Sequence, residues 1–191
     1  MIAAPSQADQ TVGSRPPRRL IPPRVFALFA VWYAILLAYG VWITVQIPVT
    51  TLVPDDPASD PAWPYYLSSL QPDMPLAGLV APWHRFDSSH YLGMAQDGYS
   101  HAAFTAFAPL YPLVVGALDR LIGGLVGGNF VLLGMLVNLA LSAAMTIALH
   151  QLAAAHFADA RRPVSVVLLV LTFPTAFYLI APYTESLYLL L

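Results

Sequence analysis

Residues 83–91, WHRFDSSHY, place an acid, two imidazoles, a guanidinium and two serine hydroxyls within nine positions. On a helix, Asp87, His90 and Tyr91 share one face because they are spaced i, i+3 and i+4. A carboxylate here could take a proton from an acceptor hydroxyl, while Arg85 or His90 stabilises an anionic leaving group. The alternative interpretation is an interfacial helix whose polar residues face water, with Asp87 capping or pairing locally.

The same stretch contains an HxxDxxH pattern formed by His84, Asp87 and His90. Histidine and carboxylate groups are common zinc and iron ligands. However, the two imidazoles are six residues apart, which is about 240° around a helix that turns by about 100° per residue. Both cannot face one ion unless the helix unwinds. The spacing therefore argues against a metal site, and we expect no cofactor.

Two further clusters combine aromatic, proline and polar residues. Residues 103–112, AFTAFAPLYP, include Tyr111, although such aromatic residues are also typical of a membrane-interface belt. Residues 173–177, FPTAF, are followed by residues 181–186, APYTES, which contain Glu185, the only Glu in the chain. An ionisable group between apolar runs is costly and suggests a functional site. The alternative is a helix start, where an acid interacts favourably with the helix dipole.

The composition restricts the elements that can position these residues. Of the 191 residues, 58% are apolar and 9% are charged, against about 25% charged in a typical soluble domain. This excludes an ordinary soluble enzyme. Eight Arg, no Lys and a net charge of −2 provide no basic field, so we expect no nucleic-acid partner. The absence of Cys excludes disulfides and thiolate chemistry.

Four segments can be assigned before the second cluster. Residues 1–24 hold four of the eight Arg and are predicted to be a disordered cytoplasmic tail. Residues 25–47 carry no charge and would form a helix of about 34 Å, long enough for a first transmembrane helix. Residues 48–103, rich in Pro and Asp, are predicted to be a large outer loop. Within it, residues 83–98 are predicted to form a short interfacial helix that ends at Gly98.

The remaining chain is predicted to be further transmembrane helices, at residues 104–125, 129–149 and 164–180. Residues 183–191 begin another apolar run that no polar segment closes. We therefore expect an all-α integral membrane protein with about four to five spans, of which this is an amino-terminal portion that is inactive alone. One crossing per span would put Arg161 and Arg162 outside, against the positive-inside tendency. Either the first of these spans re-enters without crossing, or two Arg are too weak a signal.

In this order, the three clusters resemble the glycosylphosphatidylinositol mannosyltransferase II family and its prokaryotic relatives. The resemblance rests on FDSSHYLGMAQDGY at 86–99, AFAPLYPL at 106–113 and FPTAFYLIAPYTESLYLL at 173–190. It implies a GT-C type glycosyltransferase, a multispan membrane enzyme whose first outer loop carries the catalytic acid. Such enzymes pass a sugar from a polyprenyl-phosphate carrier, typically polyprenyl-phosphate mannose, to an acceptor hydroxyl with inversion.

The resemblance implies that Asp87 is the general base. The candidate substrate-binding residues around it are Arg85, Ser88, His90, Tyr91, Tyr111, Tyr183, Glu185 and Ser186. Two positions depart from the family pattern, because Phe86 stands where Trp is frequent and Ala108 where a second Phe is common. The expected partners are a polyprenyl-phosphate sugar donor, a lipid or glycan acceptor and the lipid bilayer. The expected location is the plasma membrane in a bacterium or the endoplasmic reticulum in a eukaryote.

Two other functions remain open at this point. A GT-C enzyme could use another sugar, such as glucose or arabinose. A non-enzymatic multispan protein, either a transporter or a scaffold subunit, is the competing class. Transporters place broken helices and ionisable groups at mid-bilayer depth in repeated halves, and Pro174 and Glu185 could be read that way. However, the chain has no internal repeat, and its acids concentrate in the predicted outer loop.

Overall fold

The computed structural model describes residues 22–47, 76–100, 102–159 and 161–191, and every regular element within them is helical. In this part of the chain the α-helices are α1 Pro23–Gln46, α2 Ala77–Val80, α3 Ser88–Asp97, α4 Leu110–Ile122, α5 Phe130–His156, α6 Arg162–Leu171 and α7 Glu185–Leu190. The predicted all-α class is confirmed. Residues 1–21 of the predicted tail and residues 48–75 of the predicted outer loop lie outside the described residues.

Two helices, α1 and α5, are long and apolar enough to cross a bilayer. They contain 24 and 27 residues with mean hydropathies of 2.0 and 2.1. At about 1.5 Å per residue, both exceed the ~30 Å hydrocarbon core. Only 17% of the most apolar window of α1 is buried within the described part of the chain, against 50% for α5. These helices correspond to the spans predicted at 25–47 and 129–149, although α5 continues to His156.

The other predicted spans are interrupted. The segment 104–125 contains α4, of 13 residues, and 164–180 contains α6, of 10 residues. Helices of about 20 and 15 Å are shorter than the hydrocarbon core. The first α4 turn accommodates Pro112, because amide groups there have no partner within the helix. By contrast, α6 ends at Leu171, three residues before Pro174, which would remove a backbone hydrogen bond and clash in a continuing helix. The total of four to five spans stays a prediction.

The predicted interfacial helix at 83–98 begins later than expected. The helix α3 starts at Ser88, and the expectation that it would start near Trp83 was wrong. The reason is Phe86, whose φ of 49° is in the left-handed region and cannot continue a right-handed helix. The helix ends at Gly98 as predicted, with a φ of 69° that suits glycine. Asp87 therefore stands at the amino-terminal end of α3.

The long helix α5 is the centre of the packing and contacts α1, α4, α6 and α7. Two features let neighbouring segments approach it closely. A Cβ at Gly134 would lie 2.8 Å from Pro182, so only glycine fits there without a shift. The buried Asn138 side chain donates a hydrogen bond to the carbonyl of Ala181. Both contacts hold the non-helical segment before α7 against α5, and this segment carries the third cluster.

Candidate functional site

Asp87 lies on a short non-helical turn between the 3₁₀ turn Ala81–Trp83 and α3, and its side chain is exposed. The turn is fixed by hydrogen bonds to two consecutive carbonyls. The Tyr183 hydroxyl donates to the carbonyl of Arg85 at 2.6 Å. The Ser89 hydroxyl donates to the carbonyl of Phe86 at 2.9 Å, across the left-handed residue. The carboxylate is therefore exposed to solvent, on a backbone turn that these two hydrogen bonds hold in place.

The two imidazoles of the HxxDxxH pattern lie in different places. The side chain of His84 is fully buried, and its Nδ1 lies 3.2 Å from the Oγ of the equally buried Ser88. The ring of His90 is half-buried against Phe107, with the ring centres 5.1 Å apart. The side chain of Asp87 is exposed and shares neither of these two environments. Within the described residues, no group of three or more His, Asp or Glu is placed to hold a metal ion.

Tyr91 is the point at which the three sequence clusters meet. Its ring makes edge contacts with Phe107 and Tyr111 of the second cluster, at centre distances of 5.1 and 5.7 Å. It also contacts Tyr183 of the third cluster at 6.3 Å. The Tyr91 hydroxyl lies 3.2 Å from the Oγ1 of Thr184. Segments separated by more than 90 residues are thereby joined around the first residues of α3.

Burial raises the pKa of the Tyr91 hydroxyl, and the charges of Glu185 and Asp87 add to this effect. Tyr91 is therefore a neutral hydroxyl at physiological pH and is able to donate a hydrogen bond. Glu185 is half-buried at the start of α7, and within the described residues its buried Oε2 has no hydrogen-bond partner. Tyr91 is thus close enough to both carboxylates, the exposed Asp87 and the half-buried Glu185, for their charges to act on it.

Two of the candidate residues are engaged elsewhere. The fully buried Tyr111 donates its hydroxyl proton to the carbonyl of Gly134 at 3.0 Å. Ser186, also fully buried, donates to the carbonyl of Leu179 at 3.4 Å. Both hydroxyls are engaged in packing contacts of α4 and α7. Sequence reasoning missed Thr184 as the partner of Tyr91, because no spacing signal relates residues that far apart.

A groove with a volume of about 480 Å³ adjoins the turn that carries Asp87. It runs between α1 and residues 171–177, and its lining includes Trp83, Arg85 and Tyr183. Sequence reasoning also missed this groove, since α1 has apolar residues all round and shows no face that prefers a neighbour. The groove connects the first cluster with the third along the surface of the first long helix.

Comparison with known proteins identifies a family whose sequence model spans the three clusters. The sequence model of the family described as mannosyltransferase (PIG-V) matches residues 26–191, from the fourth residue of the long helix α1 onward. Similar curated proteins include the GPI alpha-1,6-mannosyltransferase 2 of Mus musculus, 29% identical over 151 residues, and that of Cricetulus griseus, 28% identical.

Each of these alignments covers 76% of this chain and 31% of the relative, so the chain spans about a third of the length of the curated relatives it matches. No solved structure matches the chain significantly. The family match covers all three clusters, both long apolar helices and the residues that hold Asp87 in place. The chain therefore belongs to the mannosyltransferase (PIG-V) family.

Proposed function

We propose that this chain is part of a membrane mannosyltransferase that moves mannose from polyprenyl-phosphate mannose to an acceptor hydroxyl on the outer or lumenal face. Family membership and the two long apolar helices support a membrane glycosyltransferase. The curated relatives are named as GPI mannosyltransferases, and for this chain the corresponding acceptor is a lipid or a cell-surface glycan. The protein is a multispan component of the plasma membrane or the endoplasmic reticulum membrane.

The observation that carries this proposal is the exposed Asp87 carboxylate on its held turn. As the acceptor oxygen attacks the anomeric carbon, Asp87 takes the proton from that hydroxyl. The bond between the anomeric carbon and the phosphate oxygen breaks, and the polyprenyl phosphate leaves as an anion. Attack opposite the leaving group inverts the anomeric configuration. This reaction requires no metal ion to be bound by the chain.

Cationic and neutral hydrogen-bond donors beside Asp87 stabilise the departing phosphate. Arg85, His90 and Tyr91 are assigned to this role, because charge-assisted hydrogen bonds to phosphate are stronger than neutral ones. Glu185 is assigned to the sugar hydroxyls, for which its Oε2 is an unoccupied acceptor within the described residues. Tyr183 and Ser88 shape the turn at Asp87. Tyr111 and Ser186 contribute to the site through packing.

The proposed reaction is tested with membranes that contain the full-length protein. They are supplied in parallel with radiolabelled polyprenyl-phosphate mannose, polyprenyl-phosphate glucose and a nucleotide-linked mannose, and membranes without the protein serve as the control. We expect mannose transfer from the lipid-linked donor only. Transfer from the glucose donor alone would show that the transferred sugar is glucose and not mannose. Transfer from the nucleotide-linked mannose alone would reject a polyprenyl-phosphate donor.

A further inference from the structure

The backbone of Phe86 adopts a conformation that its residue type disfavours. Its φ of 49° lies in the left-handed region, where the Cβ of an L-residue crowds the following carbonyl oxygen. Glycine has no Cβ and adopts this conformation without that cost. The Ser89 hydroxyl donates to the Phe86 carbonyl at 2.9 Å, but this bond would form equally with a glycine at position 86. The folding of the turn therefore does not explain why the residue is a phenylalanine.

The hydrophobic core does not explain this phenylalanine either. The Phe86 side chain is 68% exposed, whereas Trp83, before the turn, is 6% exposed and Leu92, after it, is fully buried. Within the described residues, the core cluster that contains Trp83 and Leu92 does not include Phe86. A phenylalanine stabilises a fold when its large apolar surface is buried, and this ring contributes little in that way. The strained conformation therefore displays an aromatic ring beside the site.

The displayed ring lies in the chain between two groups to which the proposed reaction gives different roles. Arg85 lines the same groove as Phe86 and is assigned to the phosphate of the donor. Asp87, which is exposed, is assigned to the hydroxyl of the acceptor. The Tyr183 hydroxyl donates to the carbonyl of Arg85 at 2.6 Å and so holds the backbone of this short segment. An aromatic ring is thus fixed next to the carboxylate that the acceptor must reach.

A pyranose ring has the chemistry to occupy such a surface. Its hydroxyls form hydrogen bonds with charged side chains such as a carboxylate. Its C–H groups form an apolar face that packs on an aromatic ring, because the face of the aromatic ring carries the negative end of its quadrupole. A simple aliphatic alcohol has no such face and would not be oriented by the ring. The pairing of an exposed phenylalanine with an exposed carboxylate therefore fits a sugar.

We propose that the Phe86 ring is the surface on which the pyranose ring of the acceptor stacks, which brings one acceptor hydroxyl to Asp87. The inference rests on the proposed function, since it takes Asp87 as the general base. The acceptor occupies this surface, and not the donor sugar, because the acceptor hydroxyl must contact Asp87 during transfer. Stacking fixes the plane of the acceptor ring, so Phe86 determines which of its hydroxyls receives the sugar.

Stacking is measured directly by saturation-transfer difference NMR on the full-length protein in lipid nanodiscs. The probe is methyl α-D-mannopyranoside, and the control ligand is mannitol, which has hydroxyls but no ring. Nanodiscs without the protein provide the background. We expect saturation of the C–H groups of the pyranoside and none of mannitol. Equal saturation of both ligands, or no saturation of the pyranoside, would overturn the proposal.

Three substitutions separate the effect of the ring from that of the strained backbone. Phe86→Ala removes the ring and keeps a Cβ, Phe86→Gly removes the ring together with the conformational cost, and Phe86→Trp keeps an aromatic face. We expect the alanine and glycine variants to lower the saturation signal about fivefold, the size of one aromatic contact, and the tryptophan variant to retain it. A wild-type signal from Phe86→Gly would show that the residue acts only through the backbone.

Phe26→Ala is the matched control for the loss of an exposed ring. Phe26 is 50% exposed near the amino-terminal end of α1 and does not line the groove. Its replacement should leave the saturation signal unchanged. An equal loss of signal in Phe26→Ala and Phe86→Ala would overturn the specific role of Phe86.

Kinetics in membranes identify which sugar stacks, and they fail separately from the binding test. We expect Phe86→Ala to lower mannose transfer and to leave KM for polyprenyl-phosphate mannose unchanged. A raised KM for this donor with an unchanged kcat would assign the ring to the donor sugar and overturn the acceptor role. Ring-dependent binding of the pyranoside without any mannose transfer would support the stacking surface and reject the proposed function. Transfer at the wild-type rate by Phe86→Ala would reject the stacking surface and retain the function.

Discussion

The position of Asp87 depends on Tyr183, a residue almost one hundred positions further along the chain. The Tyr183 hydroxyl donates to the carbonyl of Arg85 at 2.6 Å and thereby holds the turn on which the carboxylate is exposed. Tyr183 does not need to touch the reacting atoms to matter. If Asp87 is the general base as proposed, Tyr183 is a positioning residue, because small displacements of a catalytic group lower the rate strongly.

Tyr183→Phe removes this hydrogen bond and keeps the aromatic contacts. We expect kcat for sugar transfer to fall about tenfold, which corresponds to the loss of one hydrogen bond of about 1.4 kcal/mol, while KM for the donor stays unchanged. The matched control is Tyr188→Phe, since Tyr188 is 80% exposed on α7, the helix that follows Tyr183. Equal rates for the two variants would show that the hydrogen bond does not position Asp87.

Residue types and spacing predicted part of this site and missed the rest. Asp87, His90 and Tyr91 could be singled out because chemically capable groups recur at helical spacing. Thr184, which contacts Tyr91, and Gly40, which contacts Trp83, could not be singled out. Both lie far from α3 in sequence, and their residue types suggest only a helix start and a transmembrane helix. Contacts of this kind depend on how helices pack, and a local pattern contains no information about them.

At the scale of elements, the end of α3 was predicted from the sequence and its beginning was not. The end of α3 at Gly98 followed from the preference of glycine for a positive φ. Its beginning at Ser88 was missed because Phe86 adopts a left-handed conformation, which a bulky residue rarely does by itself. The hydrogen bonds from Ser89 and Tyr183 around this residue supply the compensation. Tertiary contacts therefore decide where α3 begins.

The helix α3 is held against α4 by a close approach at Gly116. A Cβ there would lie 2.7 Å from the carbonyl oxygen of Ala95, so Gly116→Ala forces the two helices apart. We expect a loss of about 1–3 kcal/mol in the free energy of unfolding, as for other overpacked contacts. The measurement is thermal unfolding of the purified protein in detergent, followed by circular dichroism.

Gly124→Ala provides the comparison for this packing experiment. Position 124 has no atom within 4 Å of an added Cβ, so the same chemical change meets open space. Its melting temperature should match that of the wild type or exceed it. If the Gly116→Ala and Gly124→Ala variants have the same melting temperature, the close contact between α3 and α4 is not a structural requirement.

For the whole molecule, the predicted orientation places residues 1–24 in the cytoplasm and Asp87 on the outer or lumenal face. These 191 residues contain no Cys, so a single cysteine introduced among them is the one reactive thiol that they contribute. We expect Ser100→Cys to react with a membrane-impermeant maleimide in intact cells. Ser14→Cys should react only after permeabilisation. The reverse pattern would contradict the orientation, and with it the outer face proposed for the reaction.

The two long spans could be predicted because an unbroken apolar run has a single structural solution in lipid, the continuous helix. The segments at 104–125 and 164–180 are also apolar, but both contain proline, which residues 25–47 and 129–149 lack. Where such residues bend a helix or end it depends on the neighbours that satisfy the freed backbone groups. In this protein the segment after Pro174 turns back toward α5 and α3 and carries Tyr183 and Glu185 to the site.

The central claim is that Asp87 is the general base. Its most direct test compares mannose transfer by the wild type, Asp87→Asn and Asp97→Asn in membranes with equal amounts of inserted protein. Asp97, at the opposite end of α3, is also exposed and provides the matched control. We predict that Asp87→Asn lowers transfer about 10²–10⁴-fold, the usual contribution of a general base, while Asp97→Asn transfers normally. Wild-type turnover by Asp87→Asn would contradict the account.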